Sequence, residues 1–381
     1  MSVLSDEHKL LKETAARFVS DNSPVSALRA LRDAEDVEGF DRGLWKQMAA
    51  LGWAGLLVPQ AYGGSEFGYT GIGVVLEETG RTLMASPLLT TALIGAVAIE
   101  RVGTPEQKQR LLPALASGDH LIALAHEEGT RHAPFRIETT ATPTGDGYVL
   151  SGRKRFVLDG HVADTLIVVA RTGETGDDRD GISLFLVDPQ TQGVSIERAT
   201  MVDSRNAANI ELENVSVSGD AVLGGVDMLG KSAAALDAVL DVARIGLAAE
   251  MLGGINEAFE RTLAYLKLRD QFGVKIGSFQ ALKHRAAVMF TEVEIVTSVV
   301  RAALSALDDR SEEVSKLASL AKAKANEIFF LVSNESIQMH GGIGMTDEEE
   351  IGFFLKRARV AQHTFGDDRF HRDRYARLCE F

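Results

Sequence analysis

The spacing of hydrophobic and polar residues divides the chain into three regions. Residues 1–119 show helical spacing, with helices expected to begin after Ser5 and after Thr104, two residues whose hydroxyl groups can cap a first turn. Residues 120–222 are short β-branched runs between turn residues, which predicts strands at 148–158 (after a turn at 143–147), 165–170, 182–187 and 209–217. In residues 223–381, apolar residues return to three- and four-residue spacing over 232–269, 278–308 and 311–340, and two shorter helices follow. Helices this long pack as antiparallel bundles, so we predict an α+β fold with an N-terminal helical domain, a middle β domain and a C-terminal four-helix-type bundle.

Two stretches of the sequence, one uncharged and one acidic, are each compatible with more than one structure. The uncharged stretch 82–99 approaches the length of a membrane span. It contains Ser86 and Pro87, and a buried helix that begins at Ser86 with Pro87 in its first turn explains these residues better than a membrane span does. Further on, the acidic run 347–350 is expected to open a helix as a solvated first turn, because the helix dipole favours negative charge there.

Charge and cysteine content limit the classes of partner. The chain of 381 residues has 40 Lys and Arg against 54 Asp and Glu, a net charge of −14, which opposes binding to nucleic acid or to an anionic membrane. A phosphate-bearing ligand would therefore depend on local arginine or lysine side chains or on backbone N–H groups. The single cysteine, Cys379, excludes an intrachain disulfide, and with no signal-peptide pattern at the start we expect a cytoplasmic protein.

Two segments of the last region carry candidate chemistry. One runs from Arg269 to Gly273 and continues through 276–280, and the other is Gln338–Gly344. An arginine at a helix end can bind a pyrophosphate through two N–H groups, and paired glycines let a ligand approach the backbone closely. Taken alone, each segment is better explained without a ligand, the arginine as a solvated charge and the glycines as a helix cap followed by a turn.

Together, in this order and after a β domain, the two segments resemble the acyl-CoA dehydrogenase family. The similarity extends over nearly the whole chain, because 51–59 with 62–64 resembles the family's N-terminal signature and 150–156 resembles its β-domain strand. The resemblance implies an FAD-dependent oxidoreductase of lipid metabolism that desaturates fatty or sterol acyl-CoA thioesters and passes electrons to an electron-transfer flavoprotein or similar acceptor. It also implies contacts to FAD across a subunit interface: Arg269 with the pyrophosphate, Phe272 and Phe279 packed on the cofactor, Gln338, Gly341 and Gly342 at the adenosine end, and Gln271 and Ile276 in the same site.

The family's catalytic base is missing from both positions where the resemblance places it. The usual glutamate precedes a glycine near the C-terminus, where this chain has Phe365, and the alternative position precedes Arg244, where it has Ala243. The remaining catalytic candidates are Phe365, whose backbone N–H could donate to the thioester carbonyl, Arg244 beside the active site, and Asp241, which could reach the CoA moiety. Asp241 and Arg244 are three residues apart, so a plain ion pair within the helix explains them as well.

Three functions remain open at this point. The segment 125–130 departs from the family's flavin loop, and together with the missing base it resembles the small subunits of heteromeric acyl-CoA dehydrogenases, such as the pimeloyl-CoA and actinobacterial sterol side-chain types, in which a second subunit completes the site. The alternatives are a self-sufficient homo-oligomeric dehydrogenase or oxidase/monooxygenase with a displaced base, Asp241 or Glu250, and a non-catalytic scaffold. We expect a dimer or a dimer of dimers.

A metal site is not expected from the sequence. Residues 126–128 read His-Glu-Glu, but neighbouring strand residues point to opposite faces and no further ligand is spaced to join them.

Overall fold

The computed structural model describes residues 4–173 and 177–381, which form two compact units. The bundle unit comprises Met1–Glu35, Tyr69–Met84 and Arg244–Phe381, and the sheet unit comprises Asp36–Gly68 and Ala85–Ala243. Each unit is thus built from separate stretches of chain. The sequence boundaries near residues 119 and 222 stay predictions.

The helices and strands follow the predicted order of a helical region, a β region and a helical region, which confirms the fold class. The helices are α1 Asp6–Asn22, α2 Val25–Asp33, α3 Arg42–Ala50, α4 Tyr69–Arg81, α5 Ala96–Val102, α6 Pro105–Ala116, α7 Ala233–Leu268, α8 Gln280–Asp308, α9 Val314–His340, α10 Ile351–His363 and α11 Asp368–Leu378. The strands are β1 Ile122–Ala125, β2 Thr140–Thr144, β3 Gly147–Leu158, β4 Thr165–Arg171, β5 Ile182–Val187, β6 Val194–Thr200, β7 Asn206–Ser218, β8 Asp270–Gln271 and β9 Val274–Lys275.

The predicted helix starts at Ser5 and Thr104 are confirmed. Ser5 accepts a hydrogen bond from the His8 N–H at 3.2 Å, and Thr104 forms a reciprocal capping box with Gln107. The predicted helix after Ser86 is a buried π-helical segment, Leu88–Gly95, that continues into α5. None of the helices in residues 4–173 and 177–381 is long and apolar enough to cross a membrane.

Seven strands of the sheet unit form one mixed sheet. Its order is β1-β4-β2-β3-β7-β6, and β5 pairs with β4. The four predicted strands are present as β3, β4, β5 and β7, whereas β1, β2 and β6 were missed and the predicted turn at 143–147 is wrong in its first half. Pro143 and Thr144 lie in β2, which tolerates Pro143 because β2 contacts β4 only at Thr140 and is an edge beyond it.

The bundle unit packs α4 against α7 through two glycines. A side chain at Gly80 would overlap the Glu250 carbonyl oxygen, and one at Gly253 would overlap the Glu77 carbonyl oxygen. The backbones of the two helices therefore approach each other more closely than any larger residue would allow.

The acidic run 347–350 does not open a helix, because α10 begins only at Ile351. Asp347 accepts hydrogen bonds from Arg29 at 2.6 Å and from Arg32 at 2.7 Å. Those two arginines hold the pKa of the Asp347 carboxyl well below its ordinary value, Arg32 contributing most through its hydrogen bond, with a smaller opposing effect of burial. The acidic run thus connects two distant parts of the chain.

Candidate cofactor and active site

A cavity of about 500 Å³ in the bundle unit brings the two glycine-containing motifs together. It lies where the end of α7 and the following hairpin meet the end of α9. Its lining residues are Tyr265, Arg269, Gln271, Ile276, Met339, His340, Gly341, Gly342 and Ile343.

The short hairpin of β8 and β9 places the first motif at this cavity. Its turn consists of Phe272 and Gly273, both with positive φ, and the Ile276 N–H closes the segment by donating to the Arg269 carbonyl at 2.9 Å. The Arg269 side chain is exposed, and its guanidinium forms no ion pair with any residue that the structure describes. A full positive charge therefore faces the cavity and is available to an anion.

The second motif forms the opposite wall. The Tyr265 and His340 rings stack with centroids 4.4 Å apart, and His340 Nδ1 donates to the Ser336 carbonyl at 2.7 Å, so the end of α9 is fixed against α7. Gly341 then reverses the chain with φ +66°, and a side chain at Gly341 or Gly342 would meet no atom within 4 Å. The backbone at both glycines is open to a ligand.

Five of the eight predicted cofactor residues line the cavity: Arg269, Gln271, Ile276, Gly341 and Gly342. The other three lie beside it on the same segments. Phe272 is 90% exposed and packs edge-to-face with Phe279 at 6.2 Å between centroids, and Gln338 is exposed on the last turn of α9. Tyr265 was missed, although its place one helical turn before Arg269 could have indicated it.

The C-terminal position expected for a base is a tightly held turn. Phe365 has φ +57° and a side chain only 6% exposed. Its carbonyl accepts a hydrogen bond from His371 Nε2 at 3.1 Å and a long one from Arg244 Nε at 3.5 Å. The following Gly366 carbonyl accepts from Lys322 Nζ at 3.1 Å and from Asn326 Nδ2 at 3.3 Å.

Lys322 supports this turn from inside the bundle unit. Its fully buried ammonium also donates to Asn326 Oδ1 at 2.6 Å and to the Ala361 carbonyl at 2.9 Å. Burial lowers the pKa of Lys322 to about 7, partly opposed by the negative charge of Asp368. Near neutral pH the turn is thus held by an amine that is close to its titration point.

The predicted residues on α7 are buried. Asp241 is 2% exposed, and Ala243, at the alternative base position, is fully buried. The other carboxylate considered as a displaced base, Glu250, is also buried and lies 3.4 Å from Arg357.

The segment after β1 contains a cluster of two histidines and a glutamate that was not predicted from the sequence. Strand β1 ends at Ala125, so His126 and Glu127 do not alternate between the faces of a sheet. His126 Nε2 lies 3.1 Å from Glu127 Oε1, and His132 Nδ1 donates to the same oxygen. The expectation that no further ligand joins these residues is therefore wrong, because the chain folds back at His132.

The neighbouring carboxylate of this segment, Glu128, is paired with a lysine of β3. Lys154 Nζ, fully buried, lies 2.5 Å from Glu128 Oε1. Burial lowers the pKa of Lys154 to about 8, although Glu128 opposes this shift. Burial of Glu127 opposes its ionisation, but the adjacent histidines have the larger combined effect and hold its pKa far below the ordinary value.

Three family models match the chain. They are the N-terminal domain of acyl-CoA dehydrogenase at residues 5–119, the middle domain at 123–215 and the C-terminal domain at 233–379.

Individual relatives agree with these matches. The chain is 32% identical over 367 residues to acyl-CoA dehydrogenase IpdE2 of Mycolicibacterium smegmatis, which covers 96% of each chain. A variant of the Tcur3481-Tcur3483 steroid ACAD is similar in structure, with a TM-score of 0.87, 33% identity and 98% of each chain covered. The ChsE4-ChsE5 complex from Mycobacterium tuberculosis has a TM-score of 0.88 at 25% identity, with 100% of this chain and 99% of the other covered.

Proposed function

Because the chain belongs to the acyl-CoA dehydrogenase family, an oxidoreductase family acting on CH–CH bonds, we propose that it is one subunit of a heteromeric FAD-dependent enzyme. In this proposal a second acyl-CoA dehydrogenase chain supplies the base glutamate. The reaction is α,β-desaturation of an acyl-CoA thioester.

The observation that carries the proposal is the chemistry at the two base positions. Removal of the proton α to a thioester needs a carboxylate in a dry pocket, where its pKa is raised toward the working pH. Phe365 and Ala243 are both buried and neither can accept a proton. Of the displaced candidates, Glu250 lies 3.4 Å from Arg357 and is engaged in an ion pair with it.

FAD is the cofactor of this family, and the cavity fits part of it. The exposed Arg269 guanidinium can bind a pyrophosphate, and the open backbone at Gly341 and Gly342 can approach the adenosine end. When bound, the flavin supplies the hydride acceptor for the β carbon. This chain's residues would hold the cofactor and orient it, and the Phe365 N–H would donate to the thioester carbonyl.

The exposed aromatic residues beside the cavity support an assembly of at least two chains. Leaving a phenylalanine such as Phe272 in water forgoes about 1.5–3 kcal/mol of burial free energy. A cofactor and a neighbouring subunit that cover Phe272 and Phe279 would recover part of it. The similarity to the ChsE4-ChsE5 complex favours a second, different chain as that neighbour.

The substrate class follows from the same relatives. Similarity to a steroid ACAD favours the CoA thioester of a sterol-derived acid over a simple fatty acyl-CoA, and an electron-transfer flavoprotein is the proposed acceptor. Both assignments are part of the proposal.

The test compares dye reduction by the purified single chain and by the chain co-expressed with an acyl-CoA dehydrogenase from its own gene neighbourhood, using fatty and sterol acyl-CoA thioesters. We expect the single chain to be slower by about 10²–10⁴-fold, the usual value of a general base. Converting the partner's base glutamate to glutamine should abolish the activity of the pair, whereas Phe365→Leu in this chain should leave most of it. Single-chain turnover as fast as that of the pair would contradict the proposal, and Asp241→Asn and Glu250→Gln would then identify the base.

A further inference from the structure

We propose that His126, Glu127 and His132 form a binding site for a divalent transition metal, with zinc the preferred ion. The three residues lie in the sheet unit, in the segment that connects β1 to β2. These residues are not among those that line the cavity described above, and the proposal holds whichever subunit supplies the base.

The geometry of the three ligand atoms suits one ion. His126 Nε2, a Glu127 carboxylate oxygen and His132 Nδ1 all lie within 4.8 Å of one another. Zinc bonds to histidine nitrogen and carboxylate oxygen are about 2.0–2.2 Å long, so ligand atoms of a tetrahedral site lie about 3.3 Å apart. The His126 to Glu127 separation of 3.1 Å is already close to that value, whereas His132 Nδ1, now in contact with Glu127, has to move away from it to admit the ion.

The chemistry of the donors also favours zinc. Two neutral imidazoles and one carboxylate are the His₂Glu set used by zinc enzymes, in which the fourth position stays open to water or substrate. The Glu127 carboxylate accepts from His132 Nδ1 and lies beside His126 Nε2, so the three donor atoms face one another. The buried ammonium of Lys154 is paired with Glu128 and not with Glu127 Oε1.

The site is enclosed and its backbone is anchored. The side chains of His126 and His132 are 5% and 3% exposed, while that of Glu127 is 17% exposed and leaves a path to solvent. The Glu127 carbonyl accepts from the Arg155 N–H at 2.8 Å, and the Glu128 carboxylate accepts from the Glu138 N–H at 2.6 Å. These hydrogen bonds hold the segment that carries the ligands in place, so metal binding would require little further ordering of the chain.

The test uses the full chain, freed of purification tag and of bound metal by a chelator, and does not depend on catalytic activity. Zinc is titrated by calorimetry, and cobalt(II) is titrated by visible absorption, which distinguishes tetrahedral nitrogen and oxygen coordination from hydrated ion. We expect one equivalent of each metal and tetrahedral cobalt bands.

Two variants and one control make the assignment specific. Glu127→Gln and His132→Ala should each weaken zinc binding by more than about 100-fold, since even outer-shell partners of a metal are worth about 10–100-fold. His284→Ala, which removes an exposed histidine from α8, should change nothing. Zinc binding that is absent from the parent chain, or that both ligand variants retain while folded by circular dichroism, would overturn the proposal.

Discussion

Lys322 shows how much a single buried charge determines at the predicted catalytic turn. Its ammonium is fully buried and donates to Asn326 and to two backbone carbonyls, one of them that of Gly366. Three hydrogen bonds satisfy the donors, but burial still disfavours the charged form, which is why its pKa falls to about 7.

Stability should therefore rise with pH because of Lys322. Its pKa is about 7 in the folded chain and near the ordinary lysine value of 10.5 in the unfolded chain, so between these values the unfolded chain binds more protons. Keeping the buried amine charged lowers the unfolding free energy. This loss is complete below pH 7 and disappears as the pH rises toward 10. Compared with Lys322→Met, the parent should gain up to about 1.4 kcal/mol in unfolding free energy per pH unit over this window. Denaturant unfolding at pH 6, 8 and 9.5 measures it. The exposed Lys267→Met is the control and should keep the parent's slope, whereas a Lys322→Met curve parallel to the parent's would contradict the assignment.

Arg269 is the residue on which cofactor affinity should depend most. Losing one charge-assisted contact to a pyrophosphate costs roughly 1.5–3 kcal/mol, so Arg269→Ala should weaken FAD binding about ten- to a hundredfold. The loss should be seen in a fluorescence titration of the cofactor-free assembly. Lys267→Ala removes an equally exposed cation two residues away, outside the cavity lining, and should retain parent affinity. If Arg269→Ala and Lys267→Ala bound FAD with equal affinity, Arg269 would not be a cofactor-binding residue.

At the scale of elements, the contact of α4 with α7 depends on the absence of side chains. Gly80 and Gly253 each face a carbonyl oxygen of the other helix. In contrast, Gly352 in α10 has open space where a side chain would be. The same substitution should thus have opposite effects at two helical positions.

Gly253→Ala should lower the unfolding free energy by about 1–3 kcal/mol, because one helix must move to admit the methyl group. Gly352→Ala should raise it by about 0.5–1 kcal/mol, since alanine favours a helix and nothing obstructs it. Thermal and denaturant unfolding of the two variants give the comparison. A stabilising Gly253→Ala would mean that the helices lie farther apart than the structure places them.

The sequence predicts elements better than it predicts contacts between them. Long helical periodicity and caps such as Ser5 identified α1, α7, α8 and α9 to within a few residues, because these signals are local. Strand β2 was missed because Pro143 breaks a central strand but is accepted at an edge. The pairing of Asp347 with Arg29 across 318 residues, and the approach of His132 to Glu127, depend on the folded path of the chain. For the cofactor site, the two motifs predicted most of the lining residues. Tyr265 lies outside both motifs and lines the cavity because it is one helical turn before Arg269.

At the scale of the whole molecule, a substitution at Phe272 tests whether subunits associate through the cofactor site. It is 90% exposed with φ +53°, a backbone conformation that asparagine tolerates well. Phe272→Asn should therefore remove the aromatic ring without straining the turn, and should weaken both subunit association and FAD retention. Light scattering across a concentration series measures the association. Phe381→Asn, at an equally exposed terminal phenylalanine, is the control. A parent chain that is monomeric and still retains FAD would contradict contacts made across an interface.

The division of the chain into interleaved units fixes an order of events during synthesis. All stretches of the sheet unit have been synthesised once Ala243 is translated, whereas α1, α2 and α4 must wait for α7 and the helices after it before the bundle unit can close. At about 5–20 residues per second, the 138 residues from Arg244 to Phe381 take roughly 7–28 seconds to appear. For that interval α1 and α4 can pack on each other but lack the cover that the later helices give them, so nascent chains arrested near Ala243 should bind chaperones through α1 and α4 and release them when translation finishes.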